Sequence, residues 1–183
     1  IGVLPPEARE ATVWSVAVNG AMAGCRPEYM PILLAAVDAI AAPEFRLCDA
    51  GSTPSWEPLV VVSGEIVRAL KFNTSVANMK IGRRANASIG RFLRLFIRNI
   101  AGFHPGTTDK GSIGYTFNVA LAEDEEAVRA LGWDPIRMDL GYGRDDNVVM
   151  VQSVVGTSFP IYSGGDSPES LVWPIERYMV STP

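Results

Sequence analysis

The feature that most constrains the fold is an uninterrupted apolar segment at residues 59–64, Leu-Val-Val-Val-Ser-Gly. Pro58 precedes it and Gly64 ends it, and such residues commonly bound strands. β-Branched residues favour extended backbone, and a strand that is apolar on both faces is typical of a sheet covered on both sides. The segment therefore predicts a buried central strand that other elements must cover.

Helical periodicity on the N-terminal side of this strand predicts two of the covering elements. Apolar residues recur at helical spacing within residues 7–42. Pro5 and Pro6 followed by Glu7 are typical of a helix N-terminus, and Pro43 ends the pattern. A polar corner that contains two prolines interrupts the segment. Residues 7–42 are therefore predicted to form a helix, a short corner and a second helix.

Another periodic segment predicts a helix from residue 86 to about residue 99, with Asn86 or Ser88 as its N-terminal cap. Its apolar face consists of Ile89, Phe92, Leu93, Phe96, Ile97 and Ile100. Its other face carries three arginines, Arg91, Arg94 and Arg98. Because residues at i, i+3 and i+7 share one side of a helix, these cations are expected to lie together.

Shorter elements are predicted elsewhere along the chain. They are a short helix at 65–70, a loop at 73–82, a strand at 115–121, a helix at 123–131, strands at 138–142 and 148–155, and an irregular tail. The whole pattern predicts an α/β fold, with a mixed sheet of about four strands packed by about four or five helices. No repeat or composition boundary divides the chain, so residues 1–183 are expected to form a single domain or lobe.

Composition excludes several classes of protein. Hydrophobic residues make up 48% of the 183 residues and charged residues 20%, as is typical of a folded, soluble chain. The net charge of −4 argues against a nucleic-acid partner, because such binding depends on excess lysine and arginine. No apolar run reaches the ~20 residues of a membrane span. Cys25 and Cys48 are too few for a disulfide framework, so a reducing cytoplasmic location is expected.

The chain begins at Ile1 rather than at a methionine, with no signal-peptide pattern nearby. We therefore expect a processed protein, or one half of a larger two-part or heteromeric protein. A partner subunit or a homo-oligomer is expected to complete any site that the chain contains only in part.

The segment 23–31, Ala-Gly-Cys-Arg-Pro-Glu-Tyr-Met-Pro, is the first candidate site. It places a thiol, a guanidinium, a carboxylate and a phenol at the predicted corner between helices. Cys25 is a candidate nucleophile or redox thiol, or else a small buried apolar residue. Arg26 and Glu28 are candidates for orienting a substrate and moving protons, or else form an exposed ion pair. Tyr29 is expected either to donate a hydrogen bond or to pack in the core.

The start of the helix predicted near residue 86 is the second candidate site. Arg84, Asn86, Ser88 and Arg91 lie in or beside its first turns. Free amides and the helix dipole favour an anion there, and guanidinium groups bind carboxylate or phosphate at two points. Arg84, Asn86 and Arg91 are therefore expected to bind a small anionic substrate. The alternative is a solvated basic face paired with acids such as those at 123–126.

His104 is the only histidine in the chain. A lone histidine excludes the familiar multi-histidine metal centres, and no metal site is predicted. His104 is a candidate general acid or base that Asp109 would orient, or else an ordinary loop residue. The chain lacks the Walker, Rossmann, nucleophile-elbow and zincin motifs, so the cofactor is unknown.

Several of these blocks together resemble a known family. They are Asn19, residues 22–31, residues 58–64, residues 84–91 and the later Pro105-Gly106. They are similar to the C-terminal region of the UGSC proteins, thiol or selenol oxidoreductases named for a Sec/Cys-Gly-Ser-Cys motif in an upstream domain. The resemblance covers most of residues 10–145 and implies a thiol-dependent site, with Asn19 and Arg26 among the substrate-binding candidates. The upstream motif itself does not occur in the 183 residues, so it would have to lie on another segment or polypeptide.

Three functions follow from these residues. The first is an enzyme subunit or half-enzyme that acts on a small anionic organic substrate through Cys25. In it, Glu28 or His104 moves protons and Tyr29 stabilises developing charge. The second function keeps the anion site but assigns lyase or hydratase chemistry, with a purely structural thiol. The third is a non-catalytic partner that completes a catalytic subunit.

Overall fold

The computed structural model describes residues 1–52, 56–111, 119–157 and 161–181, which form five strands and seven α-helices. The strands are β1 (Gly2–Leu4), β2 (Arg9–Ala11), β3 (Glu57–Ser63), β4 (Leu121–Ala122) and β5 (Val148–Val154). The helices are α1 (Val13–Ala23), α2 (Met30–Ala41), α3 (Glu65–Ala69), α4 (Arg84–Phe96), α5 (Glu125–Ala130), α6 (Ile136–Asp139) and α7 (Pro168–Ser181). The predicted mixed α/β class is confirmed.

The apolar segment forms β3, the central strand of a three-stranded mixed sheet, as predicted. β3 lies parallel to β4, with Val61 opposite Leu121, and antiparallel to β5 along its whole length. Val60 and Val62 point into the core and are buried. β1 and β2 form a separate antiparallel pair. The described residues thus contain a three-stranded mixed sheet and a two-stranded antiparallel sheet, which loosely agrees with the predicted sheet of about four strands.

The first helix begins later than predicted, at Val13. Residues 7–12 are not a helix, because β2 pairs with β1 across the turn that holds the two prolines. Thr12 caps α1 instead. Its Oγ1 accepts from Ser15 N at 3.0 Å, and Ser15 Oγ accepts from Thr12 N at 3.0 Å. Such a capping box stabilises a helix start by about 1 kcal/mol, which accounts for the observed boundary.

The remainder of the predicted helix–corner–helix arrangement is confirmed. Gly24 ends α1 with φ 88°, a left-handed conformation that glycine adopts without steric cost. A 3₁₀ turn, Pro27–Tyr29, then leads into α2. The buried face of α2 consists of Ile32, Leu33, Ala36, Val37 and Ile40. Because Gly24 turns the chain back, Cys25 lies against the last turn of α1, where its N–H donates to the Gly20 carbonyl at 2.9 Å.

α4 packs its predicted apolar face against α1, α2 and β3. Five residues of that face are each at most 1% exposed, namely Ile89, Phe92, Leu93, Phe96 and Ile97. The helix begins at Arg84, so the predicted caps Asn86 and Ser88 are wrong. Arg83 holds the cap position without a side-chain hydrogen bond to the helix end. At its other end α4 continues into a π-turn, Ile97–Ala101.

Two predictions on the C-terminal side are wrong. Residues 138–142 are not a strand, because they form the end of α6 and a turn. β5 therefore pairs with the distant β3 and not with a neighbouring hairpin strand. The tail is not irregular, since it contains α7. Ser170 N donates to Ser167 Oγ at 3.2 Å at the start of that helix.

The other short elements lie close to their predicted positions. α3 falls within 65–70 and α5 within 123–131, and residues 73–82 are irregular. β4 overlaps the strand predicted at 115–121 only at Leu121, since residues 119 and 120 are not strand and residues 115–118 lie outside the described residues. None of the described helices combines the length and the apolar content of a bilayer-spanning segment.

Candidate functional site

An open groove of about 490 Å³ lies between the end of α1 and the first half of α4, and we call it the α1–α4 groove. It is lined by Ala23, Gly24, Ile81, Arg84, Ala87, Ser88 and Arg91. Arg84, Ser88 and Arg91 occupy positions i, i+4 and i+7 of α4 and so form one stripe along the helix. The fold therefore gives two predicted anion-binding arginines a common cavity.

The charge of the groove is positive. Arg84 and Arg91 are exposed and take part in none of the ion pairs between described residues. The N-terminus of α4 adds a partial positive charge, because its cap position has no side-chain hydrogen bond. The expected alternative, a basic face paired with the acids at 123–126, does not apply here, since Glu125 pairs with Arg129 and Arg137 instead.

Cys25 lies beside this groove. It is half-buried and close to Ser88, the middle residue of the α4 stripe, whose hydroxyl donates to the Arg84 carbonyl at 2.7 Å. Desolvation by burial raises the pKa of the Cys25 thiol above its ordinary value, and the neighbouring Ser88 side chain offsets only part of that increase. The thiol is therefore protonated at neutral pH in this state. Cys48, in contrast, is exposed and lies 3.5 Å from Asp49 Oδ1.

The other side of Cys25 faces a mostly apolar cleft of about 320 Å³. Arg26 lines the same cleft, but Glu28 is exposed and does not. No ion pair joins Arg26 to Glu28 within the described part of the chain. Tyr29 is 4% exposed and belongs to the hydrophobic core, which matches its alternative interpretation as a packing residue. Of the three neighbours of Cys25, only Arg26 therefore reaches a cavity.

Asn19, a predicted substrate-binding residue, lines neither of these two cavities. It is 3% exposed, and its amide is engaged within the fold. Its Nδ2 donates to the Ser15 carbonyl at 2.9 Å, and its Oδ1 accepts from Asn99 Nδ2 at 2.8 Å. Asn19 therefore joins α1 to the turn after α4.

Asn86, also a predicted substrate-binding residue, is likewise buried and hydrogen-bonded within the fold. It is 1% exposed, and its Nδ2 donates to the carbonyls of Asn73 at 3.1 Å and Ala120 at 2.9 Å. Its Oδ1 accepts from Asn73 N at 2.9 Å. Both N–H groups and the oxygen of the Asn86 amide are thus hydrogen-bonded, and these bonds connect the loops at Asn73 and Ala120 to α4.

His104 lies in the loop that follows the π-turn and does not line the α1–α4 groove. Its backbone N–H donates to Thr108 Oγ1 at 2.8 Å, and its carbonyl accepts from Asp109 N at 3.0 Å. The Asp109 carboxylate accepts from Gly111 N at 3.2 Å. The predicted His104–Asp109 pairing is therefore a backbone contact among the described residues, not a carboxylate–imidazole contact.

A further cavity, of about 290 Å³, lies along the arginine face of α4, and we call it the arginine cavity. It is lined by Arg91, Arg94, Leu95, Arg98, Phe103, Pro105 and Asp109. The clustering of Arg91, Arg94 and Arg98 confirms the predicted common face. Arg91 belongs to both this cavity and the α1–α4 groove.

Glu57, which the sequence analysis missed, lies beside the arginine cavity at the start of β3. Its side chain is 6% exposed, with Oε2 3.0 Å from Arg94 Nη1. Desolvation raises the pKa of Glu57 to about 7; Arg94 opposes this increase and Asp109 adds to it. The available sequence signal was an acid immediately before a buried apolar strand.

Glu57→Gln is expected to change how stability depends on pH. A carboxyl with a raised pKa holds its proton longer in the folded state, so folding stability falls as pH rises from about 4.3 to 7. The loss attributable to Glu57 is on the order of 3 kcal/mol across this window and levels off above it. Urea unfolding of both proteins between these pH values measures it. A stability difference between wild type and variant that stays constant with pH would contradict the expectation.

The carboxyl ends of β3 and β4 carry a second group of polar residues that the sequence analysis missed. We call Ser63, Glu123, Glu125 and Arg137 the strand-end network. Arg137 is 2% exposed and contacts Glu125, with Ser63 Oγ at 3.1 Å. Ser63 Oγ also donates to Glu123 Oε2 at 2.5 Å. These residues converge because parallel strands end at the same edge of a sheet.

Part of this network borders an open cavity of about 650 Å³. Burial alone would raise the pKa of Glu125, but the hydrogen bond and charge of Arg137, aided by Gly64 N and Arg129, hold that pKa below its ordinary value. Glu125 is therefore ionised and committed to these partners. No cluster of three or more histidine, cysteine, aspartate or glutamate side chains in the described ranges has the arrangement of a metal site.

The α1–α4 groove brings together the two predicted anion-binding arginines, whereas the cleft beside it holds Cys25 and Arg26. Ser88 lies between the two arginines along α4 and is also close to the Cys25 side chain. Comparison with models of protein families, with curated proteins and with solved structures finds no match to this chain.

Proposed function

We propose that this chain is an enzyme subunit, or half of an enzyme, that acts on a small anionic organic substrate in the α1–α4 groove. The observation that carries the proposal is the stripe of Arg84, Ser88 and Arg91, with the Cys25 side chain close enough to Ser88 for that residue to affect the pKa of the thiol. Guanidinium groups without carboxylate partners bind carboxylate or phosphate strongly. A substrate anion held by the stripe would lie close to the only thiol near the groove among the described residues.

The thiol takes part as the reactive group only after it loses its proton. Because the pKa of Cys25 is raised, its thiol is neutral when the groove is empty. A bound anion nearby would disfavour the thiolate further. A base from the substrate or from a partner chain would therefore have to accept the proton. The resemblance to the UGSC proteins agrees with this proposal, because it assigns the family motif to a separate upstream segment.

The raised pKa of Cys25 also favours a second candidate function, in which the thiol is structural and the groove supports lyase or hydratase chemistry. A half-buried, neutral thiol is what a packing role requires. In this case the anion site stays the same. The two candidates differ only in whether turnover survives Cys25→Ala.

A third candidate, a partner subunit, is favoured by the apolar surface of α7. Trp173 is 58% exposed and Met179 is 70% exposed, and this helix carries further exposed apolar residues. Exposed apolar surface of this kind is commonly covered in an assembly. Association in solution at working concentration distinguishes this candidate from an isolated enzyme.

The anion preference of the groove can be tested with two reagents that alkylate thiols by the same reaction but differ in charge. Iodoacetate is anionic and iodoacetamide is neutral, and both react with the thiolate. The ratio of the iodoacetate rate to the iodoacetamide rate at one cysteine therefore does not depend on how much of that cysteine is ionised. We expect this ratio to be about fivefold higher at Cys25 than at Cys48, corresponding to roughly 1 kcal/mol of attraction to the arginines. Mass spectrometry of the two cysteine peptides over time gives both rates in one sample.

Arg84→Gln is expected to abolish most of the preference, whereas Arg83→Gln serves as the matched control. Arg83 precedes Arg84 at the same helix end but does not line the groove. Equal rate ratios at Cys25 and Cys48 in the wild type, or an unchanged ratio in Arg84→Gln, would remove the arginine stripe from the proposed site.

A further inference from the structure

The arginine cavity holds more positive charge than its surroundings neutralise. Three guanidinium groups line it, from Arg91, Arg94 and Arg98, and Asp109 is the acid among its lining residues. Arg91 and Arg98 take part in none of the ion pairs between described residues. The cationic groups therefore outnumber the acids even when Glu57 is counted as ionised.

Glu57, the ion-pair partner of the cavity residue Arg94, has an unsatisfied polar atom. Glu57 Oε2 is buried and has no hydrogen-bond partner among the described residues. Arg94 Nη1 lies 3.0 Å away as an ion-pair partner, without the directional geometry of a hydrogen bond. Buried polar atoms are normally hydrogen-bonded, so this Glu57–Arg94 pair is poorly satisfied as it stands.

We propose that the arginine cavity binds a small, doubly charged oxyanion, and that this anion displaces Glu57 as the partner of Arg94. A tetrahedral oxyanion offers several acceptors, which three guanidinium groups can use at once. The cavity volume of about 290 Å³ suits such a small ion, and Leu95 and Phe103 leave room for a short apolar substituent on it. This site is separate from the groove of the proposed function, apart from the shared Arg91.

Because the anion replaces Glu57 as the partner of Arg94, anion binding is coupled to protonation of Glu57. Once Arg94 turns to the anion, Glu57 faces the anion and Asp109 without a cation, so it must be neutral. The charged groups that act on Glu57 are Arg94 from α4 and Asp109 from the following loop; its β5 neighbour, Val154, is uncharged. Binding is therefore expected to take up one proton when Glu57 starts ionised.

Sulfate is the probe for this site, since it stays doubly charged across the relevant pH range. We expect calorimetric titration at constant ionic strength to give about tenfold weaker sulfate binding at pH 8 than at pH 6, on either side of the Glu57 pKa of about 7. Glu57→Gln, which mimics the protonated acid, is expected to bind equally at both pH values, near the wild-type affinity at pH 6. His104→Gln controls for the histidine in the adjacent loop and is expected to behave like wild type.

Arginine variants show whether sulfate binds in the arginine cavity or in the α1–α4 groove. Arg98→Gln removes a cation of the arginine cavity only, and we expect it to weaken sulfate binding by about tenfold or more. Arg84→Gln removes a cation of the α1–α4 groove only and is expected to leave this sulfate site unchanged. Arg177→Gln, on α7, controls for the loss of one positive charge.

Three results would overturn the inference. They are wild-type affinity in Arg98→Gln, pH-independent binding by the wild type, and a pH dependence that persists in Glu57→Gln. Sulfate that is lost in Arg84→Gln but kept in Arg98→Gln would place the ion in the groove instead. Failure here leaves the iodoacetate preference of Cys25 untouched, so the two proposals stand or fall separately.

Discussion

Arg137→Met is expected to lower the free energy of unfolding by about 4 kcal/mol, the typical effect of removing one partner from a buried ion pair. Arg137 is 2% exposed and contacts Glu125 and Ser63, while its Nη2 donates to the Arg144 carbonyl at 2.8 Å. Methionine fills a similar volume but leaves the Glu125 carboxylate without its buried cation. Urea unfolding of wild type and variant measures the loss.

Arg129→Met is the matched control, because Arg129 pairs with the same carboxylate at 3.3 Å from an exposed position. Exposed pairs at i, i+4 contribute little, so we expect a loss of about 0.5 kcal/mol or less. The double variant Glu125→Gln with Arg137→Met should recover part of the single-variant loss, since no charge is then left unpaired. A loss below about 1 kcal/mol in Arg137→Met would mean that the strand-end network is not tightly assembled.

Gly90→Ala is expected to destabilise the protein by about 3 kcal/mol, although alanine is the better helix former. A Cβ at Gly90 would lie 2.4 Å from Val119 N and 2.6 Å from Val119 Cα, far inside van der Waals contact. The segment at Val119 cannot move away easily, because the next residue is hydrogen-bonded to α4. Ala120 N donates to the Asn86 carbonyl at 2.8 Å, and Asn86 Nδ2 donates to the Ala120 carbonyl. α4 and the approach to β4 would have to separate.

The same substitution at Gly82 provides the comparison. A Cβ there meets no atom closer than the Lys80 carbonyl oxygen at 4.0 Å, so Gly82→Ala is expected to change stability by about 0.5 kcal/mol or less. Thermal and urea unfolding of both variants give the contrast. Similar stability of Gly90→Ala and Gly82→Ala would show that α4 does not pack against residue 119 as described.

Local periodicity accounts for the elements that sequence analysis predicted correctly. β3 and the buried face of α4 follow from residue spacing within single segments, because burial of one face is a local pattern. The three arginines of the opposite face follow for the same reason. The wrong predictions concern elements whose state depends on a remote partner. Residues 9–11, predicted as helix, form a strand because β1 lies beside them, not because of their own composition.

The candidate site divides in a similar way. Sequence reasoning selected Cys25, Arg84 and Arg91 from their residue types, and the fold places them around Ser88. Their chemical roles stay predictions until the labelling experiment is done. Asn19 and Asn86 had equally suitable side chains, but both amides are occupied by groups that only folding brings near.

The amino-acid sequence by itself determined which segments are buried and which face of α4 is cationic, since each depends on spacing within one element. Only the tertiary structure decided which polar side chains are free for a ligand. Ser63 and Arg137 lie 74 residues apart yet share a hydrogen bond, and Glu57 meets Arg94 across the strand–helix interface. A side chain whose donors and acceptors are all hydrogen-bonded inside the fold cannot also bind a substrate through them. The partners of those groups cannot be found from sequence spacing.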